Sequence, residues 1–251
     1  MNNIPAALQR IQHGGMVLVV DDEHRENEGD LIVASEFADE QAIAFMAIHG
    51  RGLVCMAIEQ DTASRLELPQ MVEDNSEGMK TAFTVSVDAK AGTTTGISPA
   101  DRARTVQTIL NPRSRPDDLL RPGHLFPLVA RSGGVMERPG HTEAAVDLAR
   151  LAGLKASGVI CEVMDDDGSM ARLPRLKELA REWDIPLISI EDLIRHRQEI
   201  ESSRAGDTRT KGQCEGEPNQ RPDHGPQERI NEPPKAQPGI PPGQSTLHGF
   251  R

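Results

Sequence analysis

Met16-Val17-Leu18-Val19-Val20 runs directly into Asp21-Asp22-Glu23-His24-Arg25-Glu26-Asn27-Glu28-Gly29-Asp30, and this junction decides the reading of the chain. The apolar run follows Gly14-Gly15 and reads as a buried strand. The next ten residues hold six carboxylates, one arginine and one histidine. An acidic cluster therefore begins where a strand ends, which is where α/β proteins commonly place their sites. Carboxylates this dense repel one another unless a cation sits among them. A divalent metal together with Arg25 would supply that charge, whereas a solvated acidic turn would need neither.

Two further stretches bear on that choice. Arg138-Pro139-Gly140-His141-Thr142-Glu143 precedes a segment with helical apolar spacing that stops at Gly153. The Pro-Gly-His-Thr stretch thus lies at a helix N-terminus, where free N–H groups and the macrodipole favour an anion. Arg138 and Thr142 add donors there, and His141 offers an imidazole nitrogen, although a histidine by itself is more often a capping or surface residue. Gly158-Val159-Ile160-Cys161-Glu162-Val163-Met164 is strand-like and closes with an Asp-Gly turn at 166–169. An acid among such neighbours is costly unless paired or protonated, so Glu162 is expected either to have a raised pKa or to face water from an edge strand. The loop Gly92–Asp101 offers threonine donors to an anion and ends in a helix start, with Ser98 as cap and Pro99 at the first position. A polar loop ahead of a well-capped helix would look the same.

Together these stretches resemble one family. Asp-Asp-Glu-x-Arg-Glu-Asn-Glu-Gly-Asp at 21–30, Arg-Pro-Gly-His-x-Phe-Pro-Leu at 121–128, Gly-His-Thr-Glu at 140–143 and Cys-Glu-x-Met-x-Asp-Asp-Gly at 161–168 are similar to 3,4-dihydroxy-2-butanone 4-phosphate synthase. The likeness runs from about Ile4 to about Gln198, with the motifs in family order. It implies a lyase of riboflavin biosynthesis that converts ribulose 5-phosphate to a four-carbon phosphate and formate with magnesium, for which manganese can substitute. It also implies a three-layer α/β sandwich with a mixed sheet, found as a homodimer. By the same resemblance His124 and Glu162 are catalytic, and Glu26 and His141 hold the metal. Substrate contacts fall to Arg25, Glu26, Asp30, Arg138, Pro139, Gly140, His141, Thr142 and Glu162, with Glu28 completing the charge network. Pro139 departs from the glycine of many members and removes one N–H from the substrate cradle. Two rival readings remain: another magnesium-dependent sugar-phosphate isomerase or aldolase, and a paralogue that binds sugar phosphate without turnover.

Composition sets the outer limits. A chain of 251 residues can bury one large core. Residues 1–200 are expected to form a single globular α/β domain of α+β type. Residues 201–251 hold 8 of the 18 prolines and few large apolar side chains, so they are expected to be a disordered tail. Residues 202–251 carry 7 basic and 6 acidic groups, which leaves −12 of the overall −11 on the body. A body so acidic argues against nucleic acid as a partner. The three cysteines, Cys55, Cys161 and Cys214, are too far apart for a disulfide framework or a zinc site. There is no apolar signal region and no run of the length a membrane span needs. The expectation is a monofunctional cytoplasmic enzyme.

Alternating patterns fill in the rest. Helices are expected at Pro5–Gln12, Ala42–Ile48 with Asp39 as cap, Pro99–Leu110 and Leu173–Trp183, with Ser189 and Asp192 capping a last one. Strands are expected at Leu53–Ile58, Phe83–Val87, Leu125–Ala130 and Pro186–Ile190, with Pro127 placing its strand at an edge or bulge.

Overall fold

A computed structural model of the chain describes residues 2–211, with side chains through residue 203. Residues Met1–Thr208 form one compact unit. Its centre is a mixed sheet in the order β4-β5-β3-β6-β2-β1-β7. The strands are β1 (Val17–Val20), β2 (Gly29–Ala34), β3 (Cys55–Ile58), β4 (Val87–Ala89), β5 (Leu119–Val129), β6 (Gly158–Glu162) and β7 (Leu187–Ser189). The helices are α1 (Ile4–Gln12), α2 (Glu40–Phe45), α3 (Gln60–Arg65), α4 (Pro99–Leu110), α5 (His141–Leu151), α6 (Leu173–Glu182) and α7 (Ile190–Lys211).

Side-chain alternation along the strands divides the core in two. Leu18, Val20, Leu31, Val33, Met56, Ile58, Val159 and Cys161 face α2, α3, α4 and α6. Val17, Val19, Ile32, Ala34, Cys55, Ala57 and Ile160 face α1, α5 and the start of α7. The result is the expected three-layer sandwich. Burying each of the larger side chains contributes about 1.5–3 kcal/mol. One edge of the sheet, β7, is covered by the chain start, since Asn2 N–H donates to Leu187 O at 2.7 Å and Asn2 Oδ1 accepts from Leu187 N at 2.9 Å.

Most expected elements recur with shifted ends. α4 spans the expected residues and Ser98 Oγ accepts from Asp101 N at 3.1 Å. Asp39 caps α2, which passes into a π-helical turn at Met46–Gly50 and ends at Arg51 in the left-handed region. Ser189 caps the start of α7 through Asp192 N. Four expectations need correction. The stretch 83–86 is irregular, tied to the sheet by single bridges at Phe83 and Thr84, and the strand there is 87–89. β5 begins at Leu119 and is interior, because the bridging stretch and β4 cover the side on which Pro127 has no N–H. β6 is also interior, which removes an edge position for Glu162. α7 continues to Lys211, past the expected boundary at 200, and the remainder of the expected tail, 212–251, lies outside the described residues. β2 and α3 had no clear sequence signal: β2 starts inside the acidic run, and α3 has only one buried residue, Ala63.

The segment 131–140, which leads into α5, is held by a buried carboxylate. Asp147 accepts from Val135 N at 2.9 Å, from Arg150 Nη1 at 2.7 Å and from Arg197 Nη1 at 2.8 Å. Replacing Asp147 by Ala orphans that N–H and removes one acceptor from each arginine, which keep Glu59 for Arg150 and Gly133 O with Glu201 for Arg197. It is expected to lower the unfolding free energy by about 2–3 kcal/mol, below the full value for a buried pair because both arginines are partly exposed. Urea denaturation checks this, and a loss below about 0.5 kcal/mol would reduce the cluster to the worth of a surface pair.

Candidate active site

The acidic stretch folds around one of its own members. Asp21 Oδ2 accepts from Arg25 Nη1 at 2.9 Å and Glu26 N at 3.0 Å, while Oδ1 accepts from Glu28 N at 2.9 Å. Asp22 Oδ1 accepts from His24 N at 2.7 Å, and Asn27 takes a positive φ of 55° to close the turn. From outside, Arg172 at the start of α6 donates to the carbonyls of Glu26 and Asn27. Arg25 reaches Glu26 Oε2 at 2.6 Å. The loop therefore presents Glu26 inward with one cation beside it.

β2 rises out of this loop, and parity puts Asp30 on the same sheet face as Ile32 and Ala34, toward α5. Across β6 its register partner is Glu162, on the same face. His141, the first residue of α5, sits above them, with Nδ1 3.5 Å from Glu26 Oε2 and 3.7 Å from Asp30 Oδ1. Its Nε2 lies 3.2 Å from Val19 O. Asp30, Glu26, His141 and Glu162 thus converge where the N-terminus of α5 meets the ends of β2 and β6.

The charges in this corner are strongly coupled. The His141 contact, with Arg25 acting in the same direction against burial, holds Glu26 down at about 2. Burial pushes Asp30 up to about 8, opposed by His141 and reinforced by Glu162, Glu26 and Glu28. Burial disfavours charge on His141, but Asp30 and Glu26 outweigh it and raise the imidazole to about 9. Burial also raises Glu28, with Glu26 and Glu162 adding repulsion. The cluster consequently retains protons at neutral pH. Asp30 Oδ1 is buried without a hydrogen-bond partner, an uncommon state for such an atom and a position suited to a ligand hydroxyl or water.

One ligand atom each from Asp21, Glu26 and His141 lies within 4.8 Å of the others. Asp21 already accepts three hydrogen bonds from its own loop, whereas Glu26 and His141 carry fewer and could take a cation between them. A carboxylate oxygen and one imidazole fit a hard divalent ion that keeps most of its waters. The orphaned Asp30 Oδ1 beside them could receive one of those waters.

Glu162 is seated by a sharp reversal after the π-helical turn. Its Oε2 accepts from Leu53 N at 2.8 Å and its carbonyl from Gly52 N at 3.2 Å. A Cβ on Gly52 would lie 2.6 Å from the Glu162 carbonyl oxygen, so glycine is what allows this approach. Gly140 has a comparable role: a Cβ there would come within 2.3 Å of Arg138 Nη1. Arg138 itself is engaged, donating to Glu143 Oε2 at 2.6 Å and to Thr81 Oγ1 at 3.0 Å. Thr142 is buried in the first turn of α5. Pro139 is exposed and lines a cleft of about 650 Å³ on the outer side of the acidic loop, with His24, Leu176 and Ile194.

His124 stands apart from this corner. It shares the α5 face by parity with Phe126 and Leu128, yet β3 separates β5 from β6. Two strand spacings put it on the order of 10 Å from Glu162. Its ring meets Asp88, with Nδ1 2.8 Å from Oδ2. The 92–101 loop packs beside this pair and is closed on itself, since Asp101 accepts from Thr94 N, Thr94 Oγ1 and Gly96 N. Asp88, Arg172 and the holding role of Asp21 escaped the sequence reading. Asp21 was visible as the first acid after the strand; the other two contacts join distant segments and leave no local signal.

Among the described residues no helix is long and apolar enough to cross a membrane. The family model for 3,4-dihydroxy-2-butanone 4-phosphate synthase matches residues 5–196. Monofunctional riboflavin biosynthesis protein RIBA 2, chloroplastic, of Arabidopsis thaliana is 57% identical over 79% of this chain, and the match covers 42% of that protein. Riboflavin biosynthesis protein RibBA of Synechocystis is 59% identical over 77% of this chain and 35% of its own length. The chain thus spans less than half of either relative. A crystal structure of 3,4-dihydroxy-2-butanone 4-phosphate synthase in complex with two magnesium ions superposes with a TM-score of 0.77 at 42% identity, covering 80% of this chain and 99% of that one. With the same sandwich, the same sequence span and the expected motifs gathered on one face, the chain belongs to the 3,4-dihydroxy-2-butanone 4-phosphate synthase family.

Proposed function

We propose that this chain is a lyase that converts ribulose 5-phosphate to 3,4-dihydroxy-2-butanone 4-phosphate and formate, a step of riboflavin biosynthesis. The observation that carries the reading is the convergence of Glu26, Asp30, His141 and Glu162 at the N-terminus of α5. An isomerase or aldolase would not require these residues in family order. The magnesium in the related crystal structure supports the same ion here, held by Glu26 and His141, with manganese as a substitute. Bound there, it would supply Lewis-acid stabilisation of negative charge on adjacent sugar oxygens.

The chain's own groups divide the remaining work. The unpartnered Asp30 Oδ1 accepts a hydrogen bond from a sugar hydroxyl. Arg25 offsets the charge of Glu26 and donates from its remaining N–H groups. The free N–H groups in the first turn of α5 and the Thr142 hydroxyl hold the substrate's anionic end, while Arg138 shapes this stretch through Glu143. Pro139 contributes chain direction only, having no N–H. Glu162 keeps Oε2 on Leu53 N and has Oε1 available to move protons, and His124 moves them at Nε2. A second copy of the chain is the expected partner, supported by the exposed Leu53, Ile97 and Leu120 on segments that carry or adjoin site residues. The free thiols Cys55 and Cys161 suit a reducing compartment such as the cytoplasm.

Carbon-13 NMR with labelled ribulose 5-phosphate tests the reaction. Formate and a four-carbon phosphate are expected only with magnesium, and His124→Ala and Glu162→Ala should each lower the rate roughly 100-fold or more. Isomerised sugar without formate would replace this reading by an isomerase. Unchanged substrate with metal-dependent line broadening would leave a binding protein.

Metal binding should also report the proton held at His141. The free imidazole stays protonated up to about 9, and only its neutral form ligates. Magnesium affinity is therefore expected to rise with pH, roughly tenfold per unit from neutral pH, and to level off near 9, with proton uptake by the buffer. Calorimetry in buffers of different ionisation enthalpy checks this. Affinity independent of pH between 7 and 9 would remove His141 from the ligand set.

A further inference from the structure

His124 carries a proton-transfer role in the proposed function, yet a half-exposed imidazole has no fixed tautomer or direction unless something holds it. The chain builds a dedicated holder. Asp88 Oδ1 accepts from His124 N at 2.9 Å and Oδ2 meets Nδ1 at 2.8 Å, so one carboxylate grips backbone and ring together. The histidine side chain is 44% exposed and the aspartate 10%, which puts the open side of the pair at the imidazole.

Three local features bring the pair together. The β4–β5 register shifts between Val87 and Asp88, which turns Asp88 toward β5. Gly123 permits the approach: a Cβ there would lie 2.0 Å from Val87 C and 2.2 Å from Asp88 N. Gly96, at φ +92°, lies directly against the pair, and a Cβ on it would come within 2.1 Å of Asp88 Oδ2 and 2.6 Å of His124 Nδ1. Two glycines and a strand irregularity thus meet at one carboxylate–imidazole contact.

We propose that Asp88 is a positioning residue for His124, holding the proton on Nδ1 and leaving Nε2 as the atom that serves the substrate. A carboxylate can only accept, so the contact selects the Nδ1–H tautomer. The aspartate also aligns any positive charge that forms on the ring during proton transfer. The proposal rests on the role given to His124 above.

The decisive comparison is Asp88→Asn against Asp88→Glu. Asparagine keeps the size and an oxygen for His124 N–H, but turns an N–H toward Nδ1 and forces the other tautomer. Glutamate keeps an accepting carboxylate at the expense of fit. The expected result is a kcat for Asp88→Asn lower by roughly 100-fold or more, with KM and Tm little changed and partial recovery in Asp88→Glu. Nitrogen-15 histidine spectra should show Nδ1–H at His124 in the unaltered protein and Nε2–H in Asp88→Asn. In a His124→Ala background, Asp88→Asn should lower activity no further.

A purely structural Asp88 predicts the reverse order, with Asn tolerated better than Glu and an additive loss in the double variant. Either result, or Nε2–H at His124 in the unaltered protein, overturns the proposal. Full activity in His124→Ala would instead remove the role assigned to His124, and the tautomer spectra would still report on Asp88 independently.

Discussion

A carboxylate buried in the interior of a sheet must be protonated or answered by a cation, and the site depends on how the chain meets that demand at Asp30. Strand parity leaves no choice of direction: with Leu31 and Val33 on one face, Asp30 must point with Ile32 and Ala34 toward α5. His141 answers from the first turn of that helix, with Asp30 and Glu26 both approaching its Nδ1. Each group is costly alone and tolerable in the set. The arrangement ties β2, β6, the acidic loop and α5 to one point. Further contacts hold the parts around it, with Arg172 on the loop and Asp147, within α5, on the segment that leads into that helix.

Much of this was legible in the sequence, for physical reasons that can be named. The run Val17–Val20 and the helix 99–110 carry strong periodicity or capping chemistry, and both formed as read. The motif residues Arg25, Glu26, Asp30, His141 and Glu162 were identifiable because three stretches bearing unusual charge matched one family pattern. Less legible was anything set by long-range pairing. β2 begins in the middle of a charged stretch because Gly29 and Asp30 are buried by β6 and β1, which no local window reveals. β5 gained six residues from pairing with β4 that propensity disfavours, since Pro122 and Gly123 lie within it. The expected strand over 83–87 was lost to irregular chain because Thr84 and Val85 pair with Pro127 O and Pro69 O outside the main ladder.

The functional side chains differ in the same way. Glu26 and His141 could be singled out from local chemistry plus resemblance, whereas Asp88 lies 36 positions from His124 and looks like any acid at a strand end. Glycine offered an unused clue. Gly52 is pressed against Glu162, Gly96 against the His124–Asp88 pair, and Gly140 against Arg138 and Glu143. In each case the missing Cβ makes room for a polar group, so glycines next to functional side chains mark packing geometry as directly as the charged residues mark chemistry.

The carboxylate of Asp21 spends both of its oxygens on its own loop. Tied at three points to one buried hub, the backbone at 26 and 28 and the guanidinium of Arg25 are fixed relative to one another. Glu26 is held there by its backbone N–H alone, so its carboxylate can turn toward a ligand while the loop stays in place. The loop is thus a fixed base that carries a carboxylate still free to turn.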